Sequence, residues 1–106
     1  MTPAETFQIM QQNFNPNAAR GLNVTYQFEL SGENGGTYAL KIADGQCEYI
    51  PGGVENPSIT LKLSAKDWLQ IVEGTLNPQM AFLTQRIKLD GDLSLAMRLN
   101  SIFPRK

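Results

Sequence analysis

Alternation of apolar and polar residues through the middle of the chain is the feature that most constrains its fold. The alternating runs lie at residues 22–30, 38–42, 46–50 and 58–63. A side-chain period of two is typical of a β-strand that has one buried and one solvated face. Asp44-Gly45, between the second and third runs, is a strong signal for a two-residue hairpin. The pattern therefore predicts a four-stranded antiparallel meander.

Helices are predicted on both sides of these strands. Their ends are marked by capping residues, by proline at a first helical position and by glycine after a last one. These marker residues are Thr2, Pro3, Glu5, Ser64, Gly74, Asn77, Pro78 and Asp92. A brief further strand is predicted at residues 87–89. The order helix, four strands, two helices, strand, helix predicts an α+β fold, in which a five-stranded, mainly antiparallel sheet is covered on one face by four to five helices.

Chain length and composition limit the classes of function. The chain has 106 residues, a net charge of −1 and no histidine. Its length fits a single domain over residues 1–106. Without histidine, Ser/His/Asp and Cys/His catalytic arrangements are excluded, and the commonest non-thiolate metal ligand is missing. We therefore expect no enzyme activity, no cofactor and no metal site, and the dispersed basic residues give no footprint for nucleic acid.

The location of the protein is indicated by features that the chain lacks. Its first ten residues have no basic segment followed by a long apolar stretch, which a signal peptide would show. No apolar run is long enough to cross a membrane. The single cysteine, Cys47, cannot form an internal disulfide, and its surroundings in sequence favour a buried, unreactive thiol. A cytoplasmic location is therefore expected.

The last predicted helix, at residues 93–103, is more apolar than one buried face requires. At about 100° per residue, its apolar side chains spread over roughly 220° of arc, whereas a helix packed on a core needs a stripe of only about 100°. These apolar residues are Leu93, Leu95, Ala96, Met97, Leu99, Ile102 and Phe103. The surplus requires a second partner, and three remain open: another subunit, a membrane, or an apolar ligand held inside the domain.

Several short motifs follow one another in register through the last third of the chain. The segment GTLNPQMAFL, at residues 74–83, is followed by RIKLDGD at 86–92 and by LAMRL at 95–99. In this order of motifs, and in the preceding PSITL at 57–61, the sequence resembles the sterol carrier protein type two family. The family pattern is a Gly, Asn/Asp-Pro, Ala-Phe, a basic residue, a short strand, Gly-Asn/Asp and an apolar helix. The resemblance extends over nearly the whole chain.

This resemblance implies an apolar tunnel between the sheet and its helices. In the family the tunnel binds fatty acids, fatty acyl-CoA, sterols, phospholipids or isoprenoid lipids. By position in the matching segments, the residues implied to line it are Trp68, Val72, Phe82, Leu83, Leu93, Met97 and Leu99. For each residue taken alone, ordinary core packing is the alternative. Arg86, Lys88 and Arg98 are candidates for contact with a lipid headgroup at the tunnel mouth, against the alternative of solvated side chains.

Two functional hypotheses follow. The first is non-catalytic binding and transfer of lipids by a monomer or homodimer, with transient contact to a membrane or an enzyme. The second is an accessory or dimerisation module that docks on a lipid-metabolising enzyme, for example in quinone biosynthesis. The chain ends in Arg105-Lys106 and not in the targeting tripeptide of peroxisomal members, which favours a cytosolic or prokaryotic-type member.

Overall fold

The computed structural model describes residues 1–104, and the basic pair Arg105 and Lys106 lies outside the described residues. Within that range the chain forms four helices and five strands. The helices are α1 (Pro3–Gln12), α2 (Ala65–Glu73), α3 (Pro78–Leu83) and α4 (Leu93–Ile102), and the strands are β1 (Val24–Ser31), β2 (Gly36–Ala43), β3 (Gln46–Pro51), β4 (Ile59–Ser64) and β5 (Lys88–Gly91). The predicted α+β class and five-stranded sheet are confirmed.

The predicted helix ends are formed by the expected capping residues. At α1 the Glu5 amide donates to the Thr2 hydroxyl (3.3 Å) while the Thr2 amide donates to the Glu5 carboxylate (2.8 Å), which completes a capping box. The Ser64 hydroxyl accepts from the Asp67 amide (3.0 Å) at the start of α2. Gly74 ends that helix with a φ of 88°, a conformation that costs glycine little.

The predicted meander is wrong in the placement of β4. The strand order is β3-β2-β1-β4-β5, and β4 pairs with β1 in parallel, with Tyr26 opposite Ile59. The sheet is therefore mixed, although its other three pairings are antiparallel. The burial of β4 explains its position, since Ile59, Thr60 and Leu61 are all buried, as is expected of a strand with a neighbour on each edge.

The connection from β3 to β4, at residues 52–58, crosses the sheet face opposite the helices. Its backbone is held by Gln27 of β1, whose side-chain oxygen accepts from the Val54 amide (2.7 Å). Gly53 lies so close that a β-carbon there would be 2.6 Å from the same Gln27 oxygen. The strands β3 and β4 run in the same direction and are separated by β2 and β1, so a tight hairpin cannot join them and the connection crosses those two strands.

The hydrophobic core lies between the sheet and the helices. Helix α1 packs over β2 and β3, α2 over β1 and β4, and α4 over β4 and β5. The inward side chains of Tyr26 and Phe28 in β1 are fully buried. An aromatic cluster joins the two layers, since the Phe7 ring lies 4.9 Å from Phe28 and 5.0 Å from Trp68. No helix within residues 1–104 is long and apolar enough to cross a membrane.

Candidate functional site

A cavity of about 410 Å³ lies between the β4 side of the sheet and helices α1, α2 and α4, and it is partly open to solvent. Its size is within the range of about 300–1,000 Å³ that is usual for small-molecule sites. Most of its wall is apolar. The apolar side chains come from five elements and the residues beside them, and they are Ile9, Met10, Leu61, Leu63, Trp68, Ile71, Val72, Pro78, Ile87, Leu99, Phe103 and Pro104.

The inner wall is held by a hydrogen-bonded pair. The Trp68 indole Nε1 donates to the Thr6 hydroxyl over 2.7 Å, and that hydroxyl donates to the Pro3 carbonyl over 2.6 Å. Both side chains are almost completely buried, with Thr6 1% and Trp68 5% exposed. Because the indole N–H and the hydroxyl O–H of this pair both have acceptors, the pair offers a ligand no free hydrogen-bond donor.

The rim of the cavity is polar and lies where three helices end. It contains Asn13 after the end of α1, Glu73 at the end of α2 and Asn100 in the last turns of α4. Among the described lining residues Glu73 is the single ionisable one, and none is Lys or Arg. An apolar interior with a polar rim is suited to a molecule that has an apolar tail and a polar head.

The structure brings together three of the seven side chains that the sequence placed on a tunnel wall. Trp68, Val72 and Leu99 line the cavity. The other four do not line it, and they face solvent on α3 and α4 with exposed fractions of 46% for Phe82, 73% for Leu83, 53% for Leu93 and 85% for Met97. Contact of any of the seven with a ligand stays a prediction.

Sequence analysis missed several lining residues. Thr6 and Met10 come from α1, Leu61 and Leu63 from β4, and Phe103 from the end of α4. The alternation of β4 and the apolar face of α1 were visible in the sequence. Neither pattern indicates which core positions border a void, because that depends on how the helices sit on the sheet.

The three basic residues considered for a lipid headgroup are absent from the described cavity lining. Arg86 forms an ion pair with Asp67 in which its Nε lies 3.2 Å from the carboxylate, and this hydrogen bond raises the pKa of the guanidinium. Arg98 donates to the Ala18 carbonyl over 3.0 Å. Lys88 is exposed on β5, directly opposite Lys62 on β4.

Two other ionisable side chains, Cys47 and Tyr26, have raised pKa values. Burial raises the pKa of the Cys47 thiol to about 11, so the thiol is protonated at neutral pH. Burial also raises the pKa of Tyr26 to about 12, and its hydroxyl donates to the Leu95 carbonyl over 2.6 Å. Residues 1–104 contain no group of three His, Cys, Asp or Glu side chains placed to hold a metal ion.

Comparison with known families accounts for this arrangement of sheet, helices and cavity. The model of the SCP-2 sterol transfer family matches residues 7–104, which include every element from the middle of α1 to the end of α4. The chain belongs to this family. Membership confirms the resemblance found in the sequence and identifies the chain as a domain of the lipid-binding type.

Relatives place similar domains within longer proteins. The bovine (Bos taurus) hydroxysteroid dehydrogenase-like protein 2 is 32% identical over 100 residues, which are 92% of this chain and 24% of that protein. The chain thus spans about a fifth to a quarter of the length of the curated relatives that it matches.

Two solved structures have the same fold at low sequence identity. The inverting sec-alkylsulfatase Pisa1 from Pseudomonas sp. matches 97% of this chain with 16% of its own, at a TM-score of 0.82 and 21% identity. The palmitated SCP2L2 from Aedes aegypti matches 99% of this chain with 96% of its own, at a TM-score of 0.77 and 21% identity.

Proposed function

We propose that the domain binds the apolar chain of a lipid in the cavity beside β4 and transfers it or presents it to a partner. The cavity itself carries the proposal, because a space of about 410 Å³ with a mostly apolar wall lies between the sheet and the helices. Family membership supports the same conclusion. The Aedes aegypti protein of the same fold is palmitated, which supports a fatty chain as the type of ligand.

The energy of binding would come from burial of methylene groups. Each one contributes about 0.8 kcal/mol, so a chain of about ten carbons offsets the cost of association without any hydrogen bond. The wall residues Trp68, Val72 and Leu99 supply that contact from α2 and α4. Phe82, Leu83, Leu93 and Met97 contact the same ligand only where it extends beyond the cavity, since all four are exposed. Low selectivity is expected among lipids of similar length, because one methylene changes affinity by about tenfold or less.

A matched pair of substitutions tests this site. Leu99→Asp places a carboxylate in the cavity wall, whereas Leu93→Asp places one on the exposed side of the same helix. We expect Leu99→Asp to abolish uptake of a fluorescent fatty acid and Leu93→Asp to retain it. The circular dichroism of both variants checks that they are folded. Equal uptake by wild type and a folded Leu99→Asp variant would contradict the proposed site.

Native mass spectrometry of the freshly purified chain can detect and identify the bound ligand. A lipid-binding domain is expected to carry a co-purified lipid that organic extraction removes. No co-purified lipid, together with no displacement of the fluorescent fatty acid at micromolar concentration, would refute the proposal.

A second candidate is a docking module, and the exposed apolar side chains favour it. Five large side chains on α3 and α4 face solvent, namely Met80, Phe82, Leu83, Leu93 and Met97. Exposed apolar residues in such number on two successive helices are typical of an interaction surface. The occurrence of this fold within the longer sulfatase chain is consistent with a role beside an enzyme domain.

Light scattering after size-exclusion chromatography separates the two candidates. A dimer that Leu93→Asp dissociates, with lipid uptake unchanged, supports the docking module. A monomer whose uptake is lost only in Leu99→Asp supports the lipid-binding domain alone.

The absence of catalysis and the cytoplasmic location remain part of the proposal. Lack of histidine and the protonated Cys47 thiol support a non-catalytic role. A turnover assay that found acyl-ester or thioester hydrolysis by the pure chain would overturn that part. The single cysteine is consistent with a reducing compartment, and fractionation of cells that express the tagged protein tests it.

A further inference from the structure

The exposed apolar side chains of α3 and α4 form one surface. Leu93 and Met97 lie one turn apart on the same side of α4, and Asn100 follows on that side one turn later. Asn100 borders a depression together with Pro78 and Gln79, the first residues of α3. The exposed sides of the two helices therefore meet. We call this surface the α3–α4 face, and its members are Met80, Phe82, Leu83, Leu93 and Met97.

The α3–α4 face lies beside the opening of the cavity. Asn100 belongs both to the rim of the cavity and to the depression between the two helices. Pro78 of α3 and Leu99 of α4 also line the cavity. The two helices thus supply part of the cavity wall on one side and the exposed face on the other. Whatever covers the α3–α4 face is therefore placed next to the route by which a ligand enters.

Charge is divided unevenly along the chain. Residues 1–73 contain four Lys or Arg and eight Asp or Glu, whereas residues 74–106 contain five Lys or Arg and two Asp. Neither α3 nor α4 contains an acidic residue. The first part of the chain is therefore acidic, and the last third, which carries the α3–α4 face, is basic. Such an asymmetry indicates binding to an anionic surface.

Arg98 brings an unpaired positive charge to α4. It is exposed and follows Met97, and its guanidinium donates to the uncharged Ala18 carbonyl over 3.0 Å. The described residues give it no carboxylate partner. Glu73 on the cavity rim has the opposite charge. Charge alone therefore does not hold this side of the domain on an anionic surface, and the apolar side chains must supply part of the binding.

The two acidic residues of the last third lie outside the α3–α4 face. Leu89 is paired with Leu61, which lines the cavity, so the next residue, Asp90, lies on the face of the sheet opposite the helices. Asp92 caps α4, where its carboxylate accepts from the Ser94 amide over 3.0 Å. It is therefore at one end of the face and not within it.

Apolar side chains in a basic region fit the surface of a membrane that contains anionic lipid. The apolar side chains enter the boundary between headgroups and acyl chains, and each nearby Lys or Arg adds attraction to the negative surface. A second copy of the chain fits less well, because a twofold contact through this face would bring two identical basic regions together.

We infer that the α3–α4 face docks on an anionic membrane, with the cavity opening at the bilayer surface, so that a lipid passes between bilayer and cavity without crossing water. The inference rests on the proposed lipid-binding function, and it assigns the membrane as the partner to which the lipid is presented.

Flotation of the full chain with lipid vesicles measures the docking. Vesicles of phosphatidylcholine alone are compared with vesicles of an equal mixture of phosphatidylcholine and phosphatidylserine. We expect binding to the mixed vesicles and weaker binding to phosphatidylcholine. High salt should remove most of this difference, because it screens the attraction between charges.

Substitution of apolar side chains assigns the contact to the α3–α4 face. The double change Leu83→Gln and Met97→Gln removes its two most exposed side chains. We expect it to reduce binding to the mixed vesicles by about tenfold or more, because both side chains would otherwise be buried among the headgroups. Ile50→Gln is the control and should leave binding unchanged, since it lies on β3 at the other edge of the sheet from β5.

Substitution of basic side chains tests the contribution of charge. Arg98→Gln should reduce binding to the mixed vesicles about fivefold and leave binding to phosphatidylcholine unchanged, because one basic residue near an anionic surface contributes about that much. Lys41→Gln on β2 removes an exposed charge far along the sheet and should change neither. Circular dichroism checks that all variants are folded.

The outcomes separate the inference from the proposed function. Uptake of a fluorescent fatty acid by a chain that does not bind the mixed vesicles would overturn the inference and leave the proposed function standing. Equal loss of vesicle binding in the face variants and in their controls would also overturn the inference, as would a dimer that the double change dissociates in place of vesicle binding. A chain that neither takes up the fatty acid nor binds vesicles would overturn both.

Discussion

Replacement of Thr6 by valine tests the hydrogen-bonded pair that holds the cavity wall. Valine has nearly the shape of threonine, so the change removes the hydroxyl and little else. Without it, the Trp68 Nε1–H group has no acceptor in a position where Trp68 is 5% exposed and Thr6 1% exposed. A buried donor that loses its partner costs about 1–3 kcal/mol. We expect the free energy of unfolding to fall by that amount.

The loss is measurable by urea denaturation and by thermal unfolding. For a domain of this size, the melting temperature falls by about 4–8 °C for each kcal/mol. Trp68 is the only tryptophan of the chain, so its fluorescence reports unfolding and, in the folded state, the polarity of the cavity wall. The slope of the urea transition should be unchanged, because the surface exposed on unfolding is the same.

A double-mutant cycle with Trp68→Phe identifies the cause. Phenylalanine removes the indole N–H, so the hydroxyl of Thr6 no longer satisfies a buried donor. In that background Thr6→Val should cost about 1 kcal/mol less than in wild type, measured by circular dichroism because fluorescence is lost. If the two changes are additive within about 0.5 kcal/mol, the reasoning about this pair is refuted.

Three further predictions concern other parts of the fold. Gly53→Ala should destabilise the domain by more than Gly52→Ala in urea denaturation, since both residues have positive φ but only the first has side-chain atoms within 4 Å of the added β-carbon; equal losses would contradict the close packing of the connection. Arg86→Gln should lower stability by about 1 kcal/mol, because the nearly buried Asp67 carboxylate loses its ion pair, and an unchanged melting temperature would show that the pair contributes nothing. The pKa of Tyr26 is raised to about 12, so its contribution to stability is complete below about pH 10 and is lost as pH rises toward 12. In the Tyr26→Phe variant the free energy of unfolding should therefore fall less steeply with pH in that range. An equally steep fall would assign the loss to other groups.

Much of the fold was predictable because its cues are local. The capping box at Thr2, the hydroxyl cap at Ser64 and the left-handed Gly74 depend on neighbours within one turn of helix, and each occurs where the sequence indicates. The hairpin at Asp44-Gly45 has positive φ at both residues, as its sequence predicts. Such cues fix elements but not the order of strands, and β4 was misplaced because pairing with β1 is decided by tertiary packing.

The candidate site was less predictable, because it depends on the orientation of whole helices. The apolar arc of α4 is real, but sequence does not state which part of it faces the sheet. The structure buries Leu95 and Ile102 and leaves Leu93 and Met97 in solvent. Part of the apolar surplus on α4 therefore lies in solvent, and the assignment of Leu93, Met97 and Leu99 to a tunnel wall stays a prediction.

The parallel pairing of β4 with β1, two strands that are distant in sequence, has a consequence for folding. Leu61 and Leu63 form the floor of the cavity, and their strand is held on one side by β1, with Tyr26 and Ile59 as distant partners in sequence. The three-stranded antiparallel half can form from near neighbours, but the floor exists only after this long-range pairing. A lipid that binds only the native cavity should therefore stabilise the folded state. At about a hundredfold excess over its dissociation constant, it should raise the free energy of unfolding by about 2.7 kcal/mol. The ligand and the paired sheet would then stabilise each other, because the complete cavity is present only when β4 is paired with β1.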